Sequence, residues 1–468
     1  MKARAIMIVG TASHVGKSWM ATALCRWLAR KGRSVAPFKA QNMSNNSYPC
    51  PGGGEIGRAQ VAQAQACFLT PEPDMNPILL KPNSDVGSQI VLNGRMWRNL
   101  GARAYYEQFP FLLGEVLAAY HRLASRYEFI VIEGAGSISE LNLKNTDLVN
   151  LGLAKRIEAP VLLVADIDRG GVFASVFGTF ALLEDDEKAL VRSFAINRFR
   201  GDPSLFAGGA DLLEIRSQRP CIGVFPFLHG VELDAEDGVS LDDSAHSESD
   251  IAIVRLPHIS NFTDFRLLPG VCWLSHPSDR RFKYVILPGT KNTIGDLRWL
   301  RRNGLADWVM RQYRDGATVI GICGGYQMLG KRIEDPMALE SSESATEGLD
   351  LLPVRTVMEA EKRTRTVEAV TPSGIRFSAY EIHLGRTTRP SDAVPFATLA
   401  DGAADGIRTE RCIGTYLHGA LENPVVLGEL LGRPVEDAPS RSSTYDALAD
   451  WFDANVNRAR FEKLYLSG

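Results

Sequence analysis

Short apolar runs alternate along the chain with amphipathic stretches, the signature of parallel βαβ units. In the first half, Ala5–Val9, Ser34–Phe38, Phe129–Glu133, Val161–Asp166, Ser193–Ile196 and Cys221–Phe225 read as strands. Helical patterns such as Ser18–Arg30 and Leu112–Tyr127 lie between them. The segment Leu241-Asp-Asp-Ser-Ala-His-Ser-Glu-Ser-Asp250 is polar and acidic and marks a boundary. A second series follows, with strands predicted at Ile251–Leu256, Tyr284–Leu287, Thr318–Ile322 and Gly414–Leu417. The pattern predicts an α/β protein of two domains, 1–240 and 251–468, joined by a linker at 241–250. It shows no internal repeat and no low-complexity tract.

Composition narrows the class. At 468 residues the chain exceeds one ordinary core, which agrees with two domains. A net charge of −3 gives no electrostatic case for nucleic acid or an anionic membrane as partner. Seven cysteines without paired CxxC spacing argue against a disulfide framework or a zinc site, and fit a reducing, cytoplasmic compartment. The opening run Ile6–Val9 is too short for a signal sequence, and no apolar stretch is long enough to span a membrane.

The first strand runs into Gly10-Thr-Ala-Ser-His-Val-Gly-Lys-Ser18 and then a helix, a phosphate-loop setting. Backbone N–H groups around Gly10, Thr11 and Gly16 and the helix N-terminus suit phosphate; Lys17 reaches the β and γ oxygens, and Ser18 can ligate Mg²⁺. These residues predict an ATP or GTP site. Five residues separate Gly10 from Gly16, where the common loop has about four.

That spacing resembles dethiobiotin synthetase and its relatives, ATP enzymes that activate a carboxyl or carbamate group. In Pro37-Phe-Lys-Ala40, Lys39 matches a lysine those enzymes place near the transferred phosphoryl group; its plainer reading is a solvated lysine. Glu133, in Ile132-Glu-Gly-Ala-Gly136, matches a Mg²⁺ ligand, and Asn197, in Ala195-Ile-Asn-Arg198, matches a residue that recognises the base or is otherwise a turn asparagine. His14 stands where those loops often carry an acidic residue.

Further stretches are similar to the cobyric acid synthase family: Lys39-Ala-Gln-Asn-Met-Ser-Asn-Asn-Ser47, Gly53–Gln60, Asp166–Phe173 and Leu256-Pro-His-Ile-Ser-Asn-Phe-Thr-Asp264. The resemblance covers nearly the whole chain. Gln41, Asn42, Ser44 and Asn45 form either a hydrogen-bonding platform for a polar substrate or an amide-rich surface loop. Glu55 reads equally as a second metal ligand and as a surface carboxylate, and Asp147 stands at the active-site edge.

In the second half, Gly321-Ile-Cys-Gly-Gly325 follows a predicted strand. A cysteine there is either a buried thiol or the nucleophile of a strained strand-to-helix elbow, where flanking glycines permit the turn and the helix start favours a thiolate. The base it needs is offered by His418 in Gly414-Thr-Tyr-Leu-His-Gly419, which taken alone reads as an ordinary core or surface histidine. Together they resemble the dyad of a class I glutamine amidotransferase, a flavodoxin-like fold. That fold usually carries a glutamate two residues after the histidine, where this chain has Ala420, leaving open what orients His418. Leu287–Thr293 places Gly289 as an oxyanion donor or a turn glycine, beside the N–H of Gly324. His383, in Tyr380–Gly385, is structural or substrate-adjacent, and Glu422 has the wrong spacing for a triad.

A glutaminase and an ATP site in one chain imply an amidoligase using ATP, Mg²⁺ and glutamine. The resemblance implies a corrinoid acceptor, adenosylcobyrinic acid a,c-diamide, amidated at its b, d, e and g carboxylates. Arg169, Arg198 and Arg200 near strand ends are candidate donors to so acidic a ligand, each otherwise a solvated arginine. The sister enzyme, cobyrinic acid a,c-diamide synthase, is the nearest alternative. A partitioning ATPase is a distant one, since it shares the loop but has no use for a Cys–His domain. The oligomeric state is left open.

Overall fold

The computed structural model describes residues 3–83, 87–231, 233–234, 248–268, 270–341 and 343–467. Its first sheet runs, edge to edge, Cys221–Pro226, Val191–Phe199, Val161–Asp166, Arg4–Gly10, Phe129–Glu133 and Val35–Phe38. Every pairing is parallel. Such strands are covered on both faces, which is why they read as continuous apolar runs. The strand Arg4–Gly10 is central, so the loop leaving its carboxyl end emerges where nucleotides bind in sheets of this kind. A small sheet of Gln41–Met43, Ile78–Pro82, Gly87–Leu92 and Arg95–Gly101 stands beside it.

The second sheet runs Cys272–Leu274, Ile251–Val254, Tyr284–Leu287, Thr318–Ile322, Cys412–Thr415 and Ile407–Arg408, parallel except for the last pair. A long antiparallel pair, Arg355–Val370 with Arg376–Thr388, extends from this half toward the first. The strand expected at Gly414–Leu417 is found at Cys412–Thr415, so His418 lies in the turn beyond it. The linker expected at 241–250 falls outside the described residues through 247.

The end of the chain corrects the expected partition. The pattern places residues 251–468 in one domain, yet helix Arg441–Asn455 and the turns after it return to the first. Tyr445, Leu448, Phe452 and Phe461 share a core with Ile6, Leu24 and Trp27. Arg26 is buried and donates to Asp446 at 2.9 Å, and the Trp27 indole donates to Asp453 at 2.6 Å. Asn457 donates its N–H to the carbonyl of Ile222 at 2.6 Å, and Tyr465 donates to that of Val161 at 3.0 Å. Helical spacing of Tyr445, Leu448 and Phe452 marks an apolar stripe, but a stripe does not say which core it joins.

The seven cysteines are buried, and none is joined in a disulfide. Among the described residues no helix is long and apolar enough to cross a membrane.

Candidate active sites

At the first site, Gly16 adopts φ 102°, ahead of helix Lys17–Arg30. A Cβ there would lie 2.0 Å from the amide nitrogen of Asn197, so only glycine fits. Asn197 donates that amide to the carbonyl of Val15 at 2.8 Å and thereby braces the loop from below. Thr11 donates its N–H to Val164 at 3.0 Å, tying the start of the loop to the neighbouring strand. Lys17 arches back over the loop to the carbonyls of Ala12, 3.0 Å, and Gly136, 2.8 Å.

Glu133 collects the other predicted residues. Its Oε1 accepts from the Ser18 hydroxyl at 2.9 Å and from Lys39 at 2.8 Å, while Gln63 bonds its second oxygen. Burial alone would raise this carboxyl; the Lys39 ammonium and the hydrogen bonds from Gln63 and Ser18 outweigh it and hold the group below its ordinary value. Lys39 is therefore a buried ion-pair partner and not a solvated lysine. A hydroxyl and an ionised carboxylate converging beside a phosphate loop fit Mg²⁺, whose other ligands are commonly water and phosphate oxygen. Among the described residues no cluster of three or more His, Cys, Asp or Glu side chains could hold a metal by itself.

The tentative metal ligand Glu55 is corrected. It is buried, its Oε2 accepts from Lys81 at 2.7 Å and Ser47 at 2.8 Å, and its Oε1 is taken by Lys362 from the long antiparallel pair. Two ammonium groups on one carboxylate leave no place for a divalent cation. Burial pushes Lys81 down to about 7, with the charge of Lys362 acting the same way and that of Glu55 opposing both.

The amide-rich stretch divides. Gln41 bonds Tyr105, and Asn42 donates to Gln60 at 2.8 Å, one helical turn from Gln63. The Ser44 hydroxyl turns inward to the carbonyl of Asn46 at 3.2 Å. Asn45 donates to Pro82 at 3.2 Å and reaches the cavity of the second site. Asp147 caps the backbone of Val149, Asn150 and Gly152, a structural role. Arg198 pairs with Asp166 at 3.0 Å and Arg200 with Asp168 at 2.5 Å, while Arg169 is exposed beside them.

At the second site Cys323 has φ 51° and ψ −107°, a conformation costing roughly 1–3 kcal/mol that marks an elbow. The turn closes because its neighbours lack side chains. A Cβ on Gly325 would fall 2.0 Å from the carbonyl oxygen of Leu287, and one on Gly321 would fall 2.7 Å from Gly325. The thiol is buried and donates to the carbonyl of Ile382 at 3.7 Å, with the His418 imidazole close enough to feel its charge. Gly289 packs against that imidazole, since a Cβ on it would lie 3.0 Å from the ring. Gly324 lies against Thr290, so both expected oxyanion glycines stand at the elbow. His383 shares the cavity but is held by Glu381 at 3.2 Å and by the carbonyl of Gly385 at 2.8 Å.

Asp264 was not foreseen as a functional residue. Its Oδ2 lies 2.8 Å from Nδ1 of His418, and its Oδ1 accepts the N–H of Gly419 at 2.6 Å. A carboxylate thus orients the imidazole from a different part of the chain than in the usual triad. Glu422 has other partners, Arg58, Arg266 and Arg441. Burial would lower the His418 pKa, but the charge and hydrogen bond of Asp264, with the Cys323 contact added, push it up to about 10. The signal was present in Asn261-Phe-Thr-Asp264, within a stretch already noted, but nothing local ties that aspartate to a histidine so distant.

Residues 6–241 match the CobQ/CobB/MinD/ParA nucleotide binding domain, and residues 250–426 the CobB/CobQ-like glutamine amidotransferase domain. A cobyric acid synthase of Parabacteroides distasonis is 46% identical over 481 residues, covering 95% of each chain. The chain belongs to the cobyric acid synthase family. Other members are similar at full length: that of Dehalococcoides mccartyi is 43% identical over 99% of this chain and 98% of its own, and that of Syntrophobacter fumaroxidans 46% over 99% of each. The protein is accordingly a glutamine-hydrolysing amidoligase of cobalamin biosynthesis, with a nucleotide-binding half and an amidotransferase half.

Proposed function

We propose that this cobyric acid synthase family member amidates the b, d, e and g carboxylates of adenosylcobyrinic acid a,c-diamide, using ATP and glutamine, to give adenosylcobyric acid. The observation that carries the reading is the pairing, in one chain, of a Cys323–His418–Asp264 site with a phosphate loop whose Ser18, Lys39 and Glu133 converge.

At the amidotransferase site an imidazolium beside Cys323 stabilises the thiolate electrostatically. The thiolate attacks the side-chain carbonyl carbon of glutamine, and N–H groups at Gly289 and Gly324 donate to the developing oxyanion. His418 gives its proton to the departing nitrogen, which leaves as ammonia. The glutamyl thioester is then opened by water, whose proton returns to His418, and glutamate is released. Asp264 keeps Nδ1 engaged throughout, so Nε2 is the nitrogen that exchanges protons.

At the other site a carboxylate oxygen of the corrinoid attacks the γ-phosphorus of ATP; the bond to the β,γ-bridging oxygen breaks, ADP leaves and an acyl phosphate forms. Lys17 and the loop N–H groups hold the phosphates, and Lys39 meets the charge on the transferred group. Mg²⁺ held by Ser18 and Glu133 supplies further charge neutralisation when bound. Ammonia attacks the acyl phosphate carbon, phosphate leaves, and loss of a proton gives the amide. Gln41 and Asn45, only partly buried, serve the acceptor; Asn42 and Ser44 are buried and bonded inward and serve it by shaping that stretch, and Asn197 serves the nucleotide through the loop it braces.

Mass spectrometry of the corrinoid product tests this reading by counting amide groups. The a,c-diamide should gain one for each of the b, d, e and g positions. Activity confined to the undiamidated acid would assign the chain to the a,c-diamide synthase reaction instead.

A further inference from the structure

Asp264 sits on the loop Ile259–Phe265, and two of the hydrogen bonds that fix this loop come from the nucleotide-binding half. The N–H of Phe262 donates to Oδ1 of Asn46 at 3.1 Å, and the N–H of Ser47 donates to Oδ1 of Asn261 at 3.0 Å. All of these groups are buried, so the bonds are made away from competing water. Asn261 adopts φ 51°, a left-handed conformation that asparagine tolerates better than most residues.

From this clasp the loop reaches both parts of the glutaminase. Three residues beyond Asn261, Asp264 engages His418 and Gly419. One residue before it, Ser260 donates its N–H to the carbonyl of Gly289 at 2.8 Å, on the oxyanion turn. On the opposite side Asn46 accepts the N–H of Arg58 at 3.0 Å. Arg58 opens the helix Arg58–Ala66, whose Gln63 bonds Glu133. Ser47 is tied to Glu55 and Lys81.

We propose that Asn46 and Asn261 are positioning residues of the glutaminase: their reciprocal hydrogen bonds across the domain boundary hold the Ile259–Phe265 loop so that Asp264 meets His418. Neither residue touches the reacting atoms in this role. Each acts through Asp264, and the nucleotide-binding half thereby supplies part of the framework of the other half's triad. The inference rests on Cys323 and His418 forming the glutaminase.

The test compares Asn261→Gly, which keeps the left-handed backbone and removes the acceptor, with Asn261→Asp, which keeps both. In Asn261→Gly the kcat for glutamine hydrolysis should fall about tenfold or more with KM little changed, the loss expected when a catalytic group is misplaced. Its pH profile should shift downward as His418 loses the support of Asp264. Asn261→Asp should restore most of the rate, and Asn46→Ala, on the other side of the boundary, should reproduce the defect. Amidation driven by ammonium should persist in all of these variants. The proposal is overturned if Asn261→Gly hydrolyses glutamine at the wild-type rate, or if Asn261→Asp is as impaired as Asn261→Gly. Parallel loss of ammonium-driven amidation would also overturn it, because the residues would then hold the whole fold and not the triad. A Cys323→Ala enzyme that still hydrolysed glutamine would instead remove the glutaminase assignment, which separates the two failures.

Discussion

Nδ1 of His418 lies 2.8 Å from Oδ2 of Asp264, a residue 154 positions earlier in the chain. The bond supplies the orienting carboxylate that Ala420 cannot provide, and the same carboxylate caps the N–H of Gly419, at 2.6 Å, so histidine and backbone are fixed together. Such a group matters by keeping the imidazole in one tautomer and one direction.

Replacing Asp264 with asparagine should lower kcat for glutamine-dependent amidation by roughly 10² to 10⁴, as for the equivalent change in other triads. Ammonium-dependent amidation should survive. A rate within a few-fold of wild type would make the bond structural only.

The same pair predicts a pH dependence of stability. The folded His418 value, about 10, lies above its ordinary 6.5. Its contribution is therefore present in full below the ordinary value and is lost as pH rises through about 10. Thermal unfolding of wild type should show that decline across the alkaline range, and Asp264→Asn should flatten it. An NMR titration placing His418 at its ordinary value in the wild type would contradict this.

Cys323→Ala should abolish glutamine-dependent synthesis and spare synthesis from high ammonium. Loss with both nitrogen sources in a folded variant would argue against a separate ammonia-producing site. Lys17→Ala should instead lose synthesis from either source, because activation of the carboxylate fails, and persisting ATP-dependent amidation would remove the phosphate-loop assignment.

Glu55→Gln leaves buried Lys81 and half-buried Lys362 without their shared carboxylate. Breaking a buried pair from one side costs about 3–5 kcal/mol, so denaturant unfolding should show a large loss of stability. The Mg²⁺ requirement should stay unchanged; a raised requirement without destabilisation would restore Glu55 to the metal.

What the sequence disclosed was what chemistry writes locally. The loop Gly10–Ser18 and the elbow Gly321–Gly325 each need particular residues at adjacent positions, because glycine must open the turn for the side chain beside it. Ser18, Lys39 and Glu133 could be proposed together since each ends or follows a strand of one sheet. Asp264 and Lys362 were illegible for the opposite reason. Lys362 lies in Glu359-Ala-Glu-Lys-Arg-Thr-Arg365, which reads as a charged solvated strand face, and only the approach of the other domain pairs it with Glu55. Asp264 looks like any loop aspartate until the fold brings His418 to it.

The return of residues 441–466 to the first core has a consequence for how the molecule is made. On a ribosome the parallel sheet of the nucleotide-binding half emerges early, but the hydrophobic face that receives Tyr445, Phe452 and Phe461 stays uncovered until residues 441–466 are released. Domains generally form as units during synthesis, so by chain order the ammonia-producing unit, lying between, leaves the ribosome before residues 441–466 can close the ammonia-consuming one. The order of assembly thus places the unit that can make free ammonia ahead of the one that uses it. The proposed clasp between Asn46 and Asn261 would keep that early unit from standing alone.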